Sequence, residues 1–255
     1  MTTQESTRPT IVLVHGDWAD GSSWTSVIER LREHSFTVVA PPNPLRGPAA
    51  DAPYIAGYLK TIPGPIVLVG HSYGGFVVTN AATGNPNVKA LVYIDAFMPD
   101  EGETLGALAA GAGSCVDESA LNPVPFDGGA DLYLRWEANP PYPGFTECFA
   151  NGVEPETAAV LAAVQRPAAA AQFTEPSGAP AWKTIPSWAL VGTVDRVIPL
   201  ALQEQMAARA GAQVSRVEGG HLTLISHPED VTKVILAAVE AATANDRSPE
   251  LVSAS

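Results

Sequence analysis

Positive charge is scarce in this chain. Its 255 residues hold 14 Lys and Arg against 27 Asp and Glu, a formal net charge of −13. Nucleic acid and anionic membrane surfaces both demand a basic face, so neither is expected as a partner. The acidic surplus serves solubility. Cysteine is equally sparse. Cys115 and Cys148 cannot by themselves make a disulfide framework or a Cys-based metal site. They are expected as two inert thiols rather than as one bridge stapling the middle of the chain. No apolar run reaches about 18 residues, so no membrane span is expected. Residues 1–9 are polar and lack the apolar stretch of a secretory signal. The expectation is a cytoplasmic protein, monomeric or homodimeric. With 22 Gly and 23 Pro the chain is well punctuated yet short of the disordered range. Its length fits one domain, or one domain with an insertion, and can bury a large core without staples.

What is present is an alternation of short apolar runs and helical patterns. Thr10–Val14 (TIVLV) is continuous and β-branched, as a strand buried on both faces should be. Residues 22–34 follow with Trp24, Val27, Ile28 and Leu31 at helical spacing. Residues 36–40 read as a strand ended by Pro41, Pro42 and Pro44, and 51–62 as a helix. Then come a strand at 65–70 (PIVLVG), a helix at 73–83 and a strand at 88–96. The alternation resumes with a strand at 187–191, a helix at 201–210, a strand at Gln213–Val217 and a helix at 228–242. Strands alternating with helices imply right-handed crossovers and a doubly wound, mostly parallel α/β sheet. The last residues, from Asn245, are small and polar and are expected to fray.

Residues 97–184 break the pattern. Ten prolines fall between Phe97 and Lys183, with helical patches near 104–110 and 155–166. The expectation is a core of residues 1–96 and 185–255 with a mainly helical cap inserted at 97–184. Phe126, Tyr133, Trp136, Tyr142, Phe145 and Phe149 either line an apolar pocket or give the cap its own small core. Trp18, Phe97 and Trp136 are the substrate-binding candidates.

The sharpest signal is Gly70-His71-Ser72-Tyr73-Gly74-Gly75, placed where a buried strand ends and a helix begins. A serine at such a turn is forced into a strained backbone, and glycines two before and two after it relieve clashes across the turn. The hydroxyl then stands above the sheet and the first helical amides face a reacting carbonyl. A serine hydroxyl needs a base. Of His15, His34, His71, His221 and His227, the expected base is His221, in the loop after the last strand (Gly219-Gly220-His221). The orienting acid is expected at Asp195, in Gly192-Thr193-Val194-Asp195-Arg196-Val197-Ile198-Pro199. Asp95, at the end of the fourth strand, is its rival. Loops at the carboxyl ends of parallel strands share one crevice, which lets these residues converge. Two amides should hold an oxyanion, those of Tyr73 and Asp17. The Asp17 carboxylate would oppose that charge, so its side chain is expected to point away and cap the turn before Ser22.

Taken together, His15-Gly16, the Gly70–Gly75 run, the Gly192–Pro199 run and Gly219-Gly220-His221 resemble the α/β-hydrolase superfamily. Val12–Gly16 with Trp24, and Ala96-Phe97-Met98-Pro99-Asp100, look most like the small capped serine esterases related to plant methylesterases and hydroxynitrile lyases. The resemblance covers roughly residues 10–100 and 187–242. It implies Ser72, His221 and Asp195 as a catalytic triad, no metal or organic cofactor, and a small ester or lactone as substrate. It departs from hydroxynitrile lyases, which carry lysine after the histidine where this chain has Leu222, and threonine where it has Gly16. Haloalkane dehalogenases and epoxide hydrolases place aspartate where this chain has Ser72. The implied activity is that of a carboxylesterase on fairly apolar esters or lactones. The alternatives are a C–C hydrolase or lyase on the same triad, and a slow-turnover ligand-binding relative.

Overall fold

The computed structural model describes residues 8–247; residues 1–7 of the polar N-terminal stretch and 248–255 of the tail lie outside the described residues. The chain opens with β1 (Thr10–Val14), followed by α1 (Thr25–Glu33), β2 (Val38–Val39), α2 (Pro48–Leu59), β3 (Ile66–His71), α3 (Tyr73–Ala81) and β4 (Val88–Ile94). Every residue of β3, and Ile11 to Val14 of β1, is buried, as continuous apolar runs in a parallel sheet must be. β2 is shorter than the expected 36–40, because the backbone leaves the sheet just ahead of Pro41 and Pro42.

Between β4 and the next sheet strand lie α4 (Leu105–Ala109), β5 (Leu121–Phe126), β6 (Gly129–Leu134), α5 (Phe145–Cys148), α6 (Pro155–Val164) and β7 (Ala168–Ala169). The expected helical patches are there as α4 and α6. The antiparallel hairpin of β5 and β6, extended by β7, was not expected. Pro123 and Pro125 disguise it in the sequence. β5 is an edge strand of the three-stranded sheet, where proline's missing N–H can face away from the ladder and cost no bond.

The alternation then returns as β8 (Ser187–Gly192), α7 (Leu200–Arg209), β9 (Gln213–Val217), α8 (Thr223–Ser226) and α9 (Pro228–Arg247). α9 continues beyond 242, so the first residues expected to fray are helical, and the rest of that tail lies outside the described residues. The main sheet has the order β2-β1-β3-β4-β8-β9, and every pairing is parallel. The chain order reverses between β1 and β3, and the crevice at the carboxyl ends of such strands is where α/β sheets place ligands. Among the described residues no helix is long and apolar enough to cross a membrane.

The inserted segment is fastened to the sheet's carboxyl end at several points. Trp18 Nε1 donates to Leu132 O at 3.0 Å, Ala169 N to Leu45 O at 3.0 Å, and Arg46 pairs with Asp131 at 2.8 Å. Cys115 N donates to Arg196 O at 2.8 Å, and Asn151 Nδ2 to Val194 O at 2.8 Å. The two cysteines are bonded to each other, with Cα atoms 5.8 Å apart. This corrects the expectation of free thiols. They lie 33 positions apart in the chain, and the docking of Ser114, Cys115 and α5 on the same loop at Arg196 and Val197 brings them together.

Candidate active site

Ser72 sits between β3 and α3 with φ 54° and ψ −125°, a conformation that costs a non-glycine residue energy and persists only where packing enforces it. The glycines explain how the turn is tolerated. A Cβ on Gly74 would collide with the carbonyl oxygens of Val14 and His15, and one on Gly16 would stand 2.5 Å from Ser72 Cβ. The loop after β1 is thus pressed directly against the serine.

His221 Nε2 lies 2.9 Å from Ser72 Oγ, and His221 Nδ1 lies 2.8 Å from Asp195 Oδ2. With Nδ1–H donating to the carboxylate, Nε2 carries the lone pair and accepts from the hydroxyl. Asp195 also accepts the amides of Val197 at 2.7 Å and Ile198 at 3.0 Å, and Gln203 Nε2 at 2.9 Å. Burial pushes the Asp195 carboxyl up, and these three donors pull it back. Burial also lowers His221, to about 3, so the imidazole is neutral at neutral pH, as a proton acceptor must be. All three side chains are buried, and Ser72 retains 3% of its surface.

Asp95, the rival acid, faces elsewhere. Its Oδ1 accepts Gly192 N at 2.7 Å and its Oδ2 accepts the Thr223 amide and hydroxyl. It ties β4 to β8 and to the loop that carries His221, and burial followed by the charge of Asp195 raises its pKa. His71 donates from Nε2 to His221 O at 2.9 Å, holding the backbone of that residue. His15 takes the Asn43 amide on Nε2 at 3.0 Å. Burial lowers His15 to about 4, which keeps it neutral. His34 ends α1 at the surface, and His227 bonds Ser226 Oγ at 2.8 Å.

The Tyr73 and Asp17 amides donate to no protein acceptor among the described residues. The Asp17 side chain does not cap the next turn; Asp20 does, accepting from Ser22 N at 2.7 Å. Asp17 instead is buried against the inserted segment, accepting Gln172 Nε2 at 2.6 Å. Sequence reasoning did not single out Gln172, a residue with no local signal in a stretch of alanines. The Tyr73 hydroxyl donates to Asp51 Oδ2 at 2.8 Å, anchoring the first residue after the serine to α2.

Of the substrate-binding candidates, Trp18 and Phe97 are buried at 5% exposure, while Trp136 is 68% exposed. Trp136 lies just past β6 and lines an outer cleft of about 570 Å³ with Val124, Tyr133 and Arg135. Trp136 thus lines a cleft on the outside of the inserted segment, and the aromatic ring beside His221 is that of Phe149. Its ring lies 5.3 Å from the His221 ring and 5.7 Å from that of Trp18.

Residues 11–234 match the model of the alpha/beta hydrolase family. A carbendazim hydrolyzing esterase of Nocardioides sp. (strain SG-4G) is 34% identical over 110 residues, which is 38% of this chain and 46% of that protein. The chain thus spans about half the length of that relative. An alpha/beta hydrolase of Aspergillus novofumigatus (strain IBT 16806), nvfD, is 24% identical over 89% of this chain and 95% of its own. Among solved structures, a pyrethroid hydrolase from Sphingobium faniae JZ-2 superposes with a TM-score of 0.75 at 22% identity, over 92% of this chain and 98% of that one. Polyneuridine aldehyde esterase does so with a TM-score of 0.71 at 18% identity, over 91% and 99%. Such structural likeness shows a shared fold. The family model spans nearly the whole described chain, and this protein belongs to the alpha/beta hydrolase family.

Proposed function

We propose that the protein is a serine carboxylesterase acting on small, fairly apolar esters or lactones through an acyl-enzyme. The observation that carries this reading is the unbroken hydrogen-bonded chain from Ser72 Oγ through His221 to Asp195, at 2.9 and 2.8 Å. Ser72 Oγ attacks the acyl carbon as His221 Nε2 takes its proton. Asp195 fixes the tautomer and steadies the imidazolium. The amides of Asp17 and Tyr73 receive the oxyanion, a charge that preorganised donors in a dry site stabilise strongly. His221 then returns the proton to the leaving alcohol, and water activated by the same imidazole frees the acid. This chemistry calls for no metal or organic cofactor. Residues 97–184 act as the cap. Phe149 walls the histidine with Trp18 packed behind it, and Phe97, whose N–H donates to Ser72 O at 3.2 Å, flanks the serine.

The names of the relatives support ester hydrolysis, and the charge balance argues against acidic substrates, because desolvating a carboxylate is costly. A panel of p-nitrophenyl esters tests the reading. Each CH₂ buried in a closed apolar pocket contributes about 0.8 kcal/mol, or roughly fourfold in kcat/KM. Activity should rise from acetate to butyrate or hexanoate and fall for long chains. Equal activity from acetate to palmitate would refute a capped pocket, and no hydrolysis of any ester would refute the activity.

A further inference from the structure

The pairing of Asp17 with Gln172 has no place in the triad chemistry. Asp17 follows Gly16, which packs on Ser72, and its own side chain is 3% exposed. Gln172, from the short helical turn Ala170–Phe173 of the inserted segment, is fully buried. Gln172 Nε2 donates to Asp17 Oδ2 at 2.6 Å. That single bond leaves Asp17 Oδ1 and Gln172 Oε1 as buried acceptors without a partner. Buried acceptors are costly to leave unmet, and the places where a protein keeps such a violation are commonly functional. The pair also straddles the seam between the loop after β1 and the inserted segment. That seam runs beside the serine, since Gly16, the neighbour of Asp17, packs on Ser72.

We propose that Asp17 and Gln172 form a polar recognition subsite that selects esters carrying a hydroxyl or N–H donor close to the scissile carbonyl. This rests on the serine esterase reading and narrows its substrate class. The geometry explains how an acid is tolerated beside the oxyanion amides. The carboxyl is turned to the insertion, and burial first, then the nearby Asp51, pushes it up to about 7 against the Gln172 bond. Two acceptors side by side reward a donor and reject a second acceptor. A matched ether of the same size should therefore gain nothing.

The test compares p-nitrophenyl 3-hydroxybutyrate, 3-methoxybutyrate and butyrate for a donor in the acyl half, and 2-hydroxyethyl butyrate with propyl butyrate for one in the alcohol half. The wild-type protein should favour the hydroxylated member of at least one set by about tenfold in kcat/KM, the scale of a hydrogen bond to a charged group, with no gain for the methoxy ester. In Gln172→Leu and in Asp17→Ala that ratio should fall toward one, since each removes one of the two acceptors. Wild-type hydrolysis of butyrate with no preference for either hydroxylated ester overturns the inference and leaves the esterase reading standing. A preference that survives in both variants, each shown folded by its thermal midpoint, also overturns it. If no ester is turned over and a fluorophosphonate fails to label Ser72, the esterase reading falls and this inference with it.

Discussion

Phe149 lies against His221 with ring centroids 5.3 Å apart, and the residue before it, Cys148, is bonded to Cys115. Cys115 is itself held by Arg196 O at 2.8 Å, and Ser114 Oγ donates to Val197 O at 2.7 Å. The disulfide therefore joins the wall over the histidine to the loop that carries Asp195. Closing 33 residues of chain stabilises the fold by about 3–4 kcal/mol on chain-entropy grounds. Cys148→Ser should lower Tm by roughly 5–15 °C for a domain of this size and reduce kcat/KM, because the Phe149 wall loosens. A melting curve and an ester assay on the same preparation check both. An unchanged Tm would show that the bridge adds nothing.

Ser72→Ala should leave the fold intact and remove ester hydrolysis by on the order of 10³-fold or more, as loss of a triad nucleophile does. The strained φ of 54° is imposed by the surrounding turn rather than by the hydroxyl, so Tm should hardly move. A variant that keeps a tenth of the activity would remove Ser72 from the nucleophile's role.

The two buried acids should separate cleanly. Asp195→Asn should cost on the order of 10⁴-fold in kcat, because an amide favours the wrong histidine tautomer. Asp95 instead accepts from Gly192 and Thr223, so Asp95→Asn should cost mainly stability, about 1–3 kcal/mol for mismatched buried donors. The check is kcat beside chemical denaturation for both variants. A larger kcat loss in Asp95→Asn than in Asp195→Asn would reverse the assignment.

The pH profile follows from the burial of His221. Its pKa is lowered from 6.5 to about 3. A base with a lowered pKa stays neutral as the solution is acidified, so activity is retained below pH 6.5 and lost only at more acid pH. The acid limb of kcat/KM for a neutral ester should have its midpoint below pH 6. A midpoint at 6.5 or above would mean that solvent reaches the imidazole in the working enzyme.

The amino-acid sequence alone determined the parallel sheet, because continuous β-branched runs and helical spacing are local signals that pay no heed to distant partners. Thr10–Val14 and Gln213–Val217 are strands at the expected bounds. It also determined the elbow, since Gly70, Ser72 and Gly74 must act across one turn, and the chain order of the hydrogen-bonded residues Ser72, Asp195 and His221. Tertiary structure alone decided the rest. Asp195 and Asp95 both end buried strands; only the packing of the last loops points one at His221 and the other at Gly192 and Thr223. The hairpin of 121–134 hides behind Pro123 and Pro125, whose cost vanishes at a sheet edge. The Cys115–Cys148 bond, the exposure of Trp136 and the meeting of Asp17 with Gln172, 155 residues apart, depend on how the inserted segment docks on the sheet. Docking is set by the fit of whole surfaces, and no spacing within the chain encodes it.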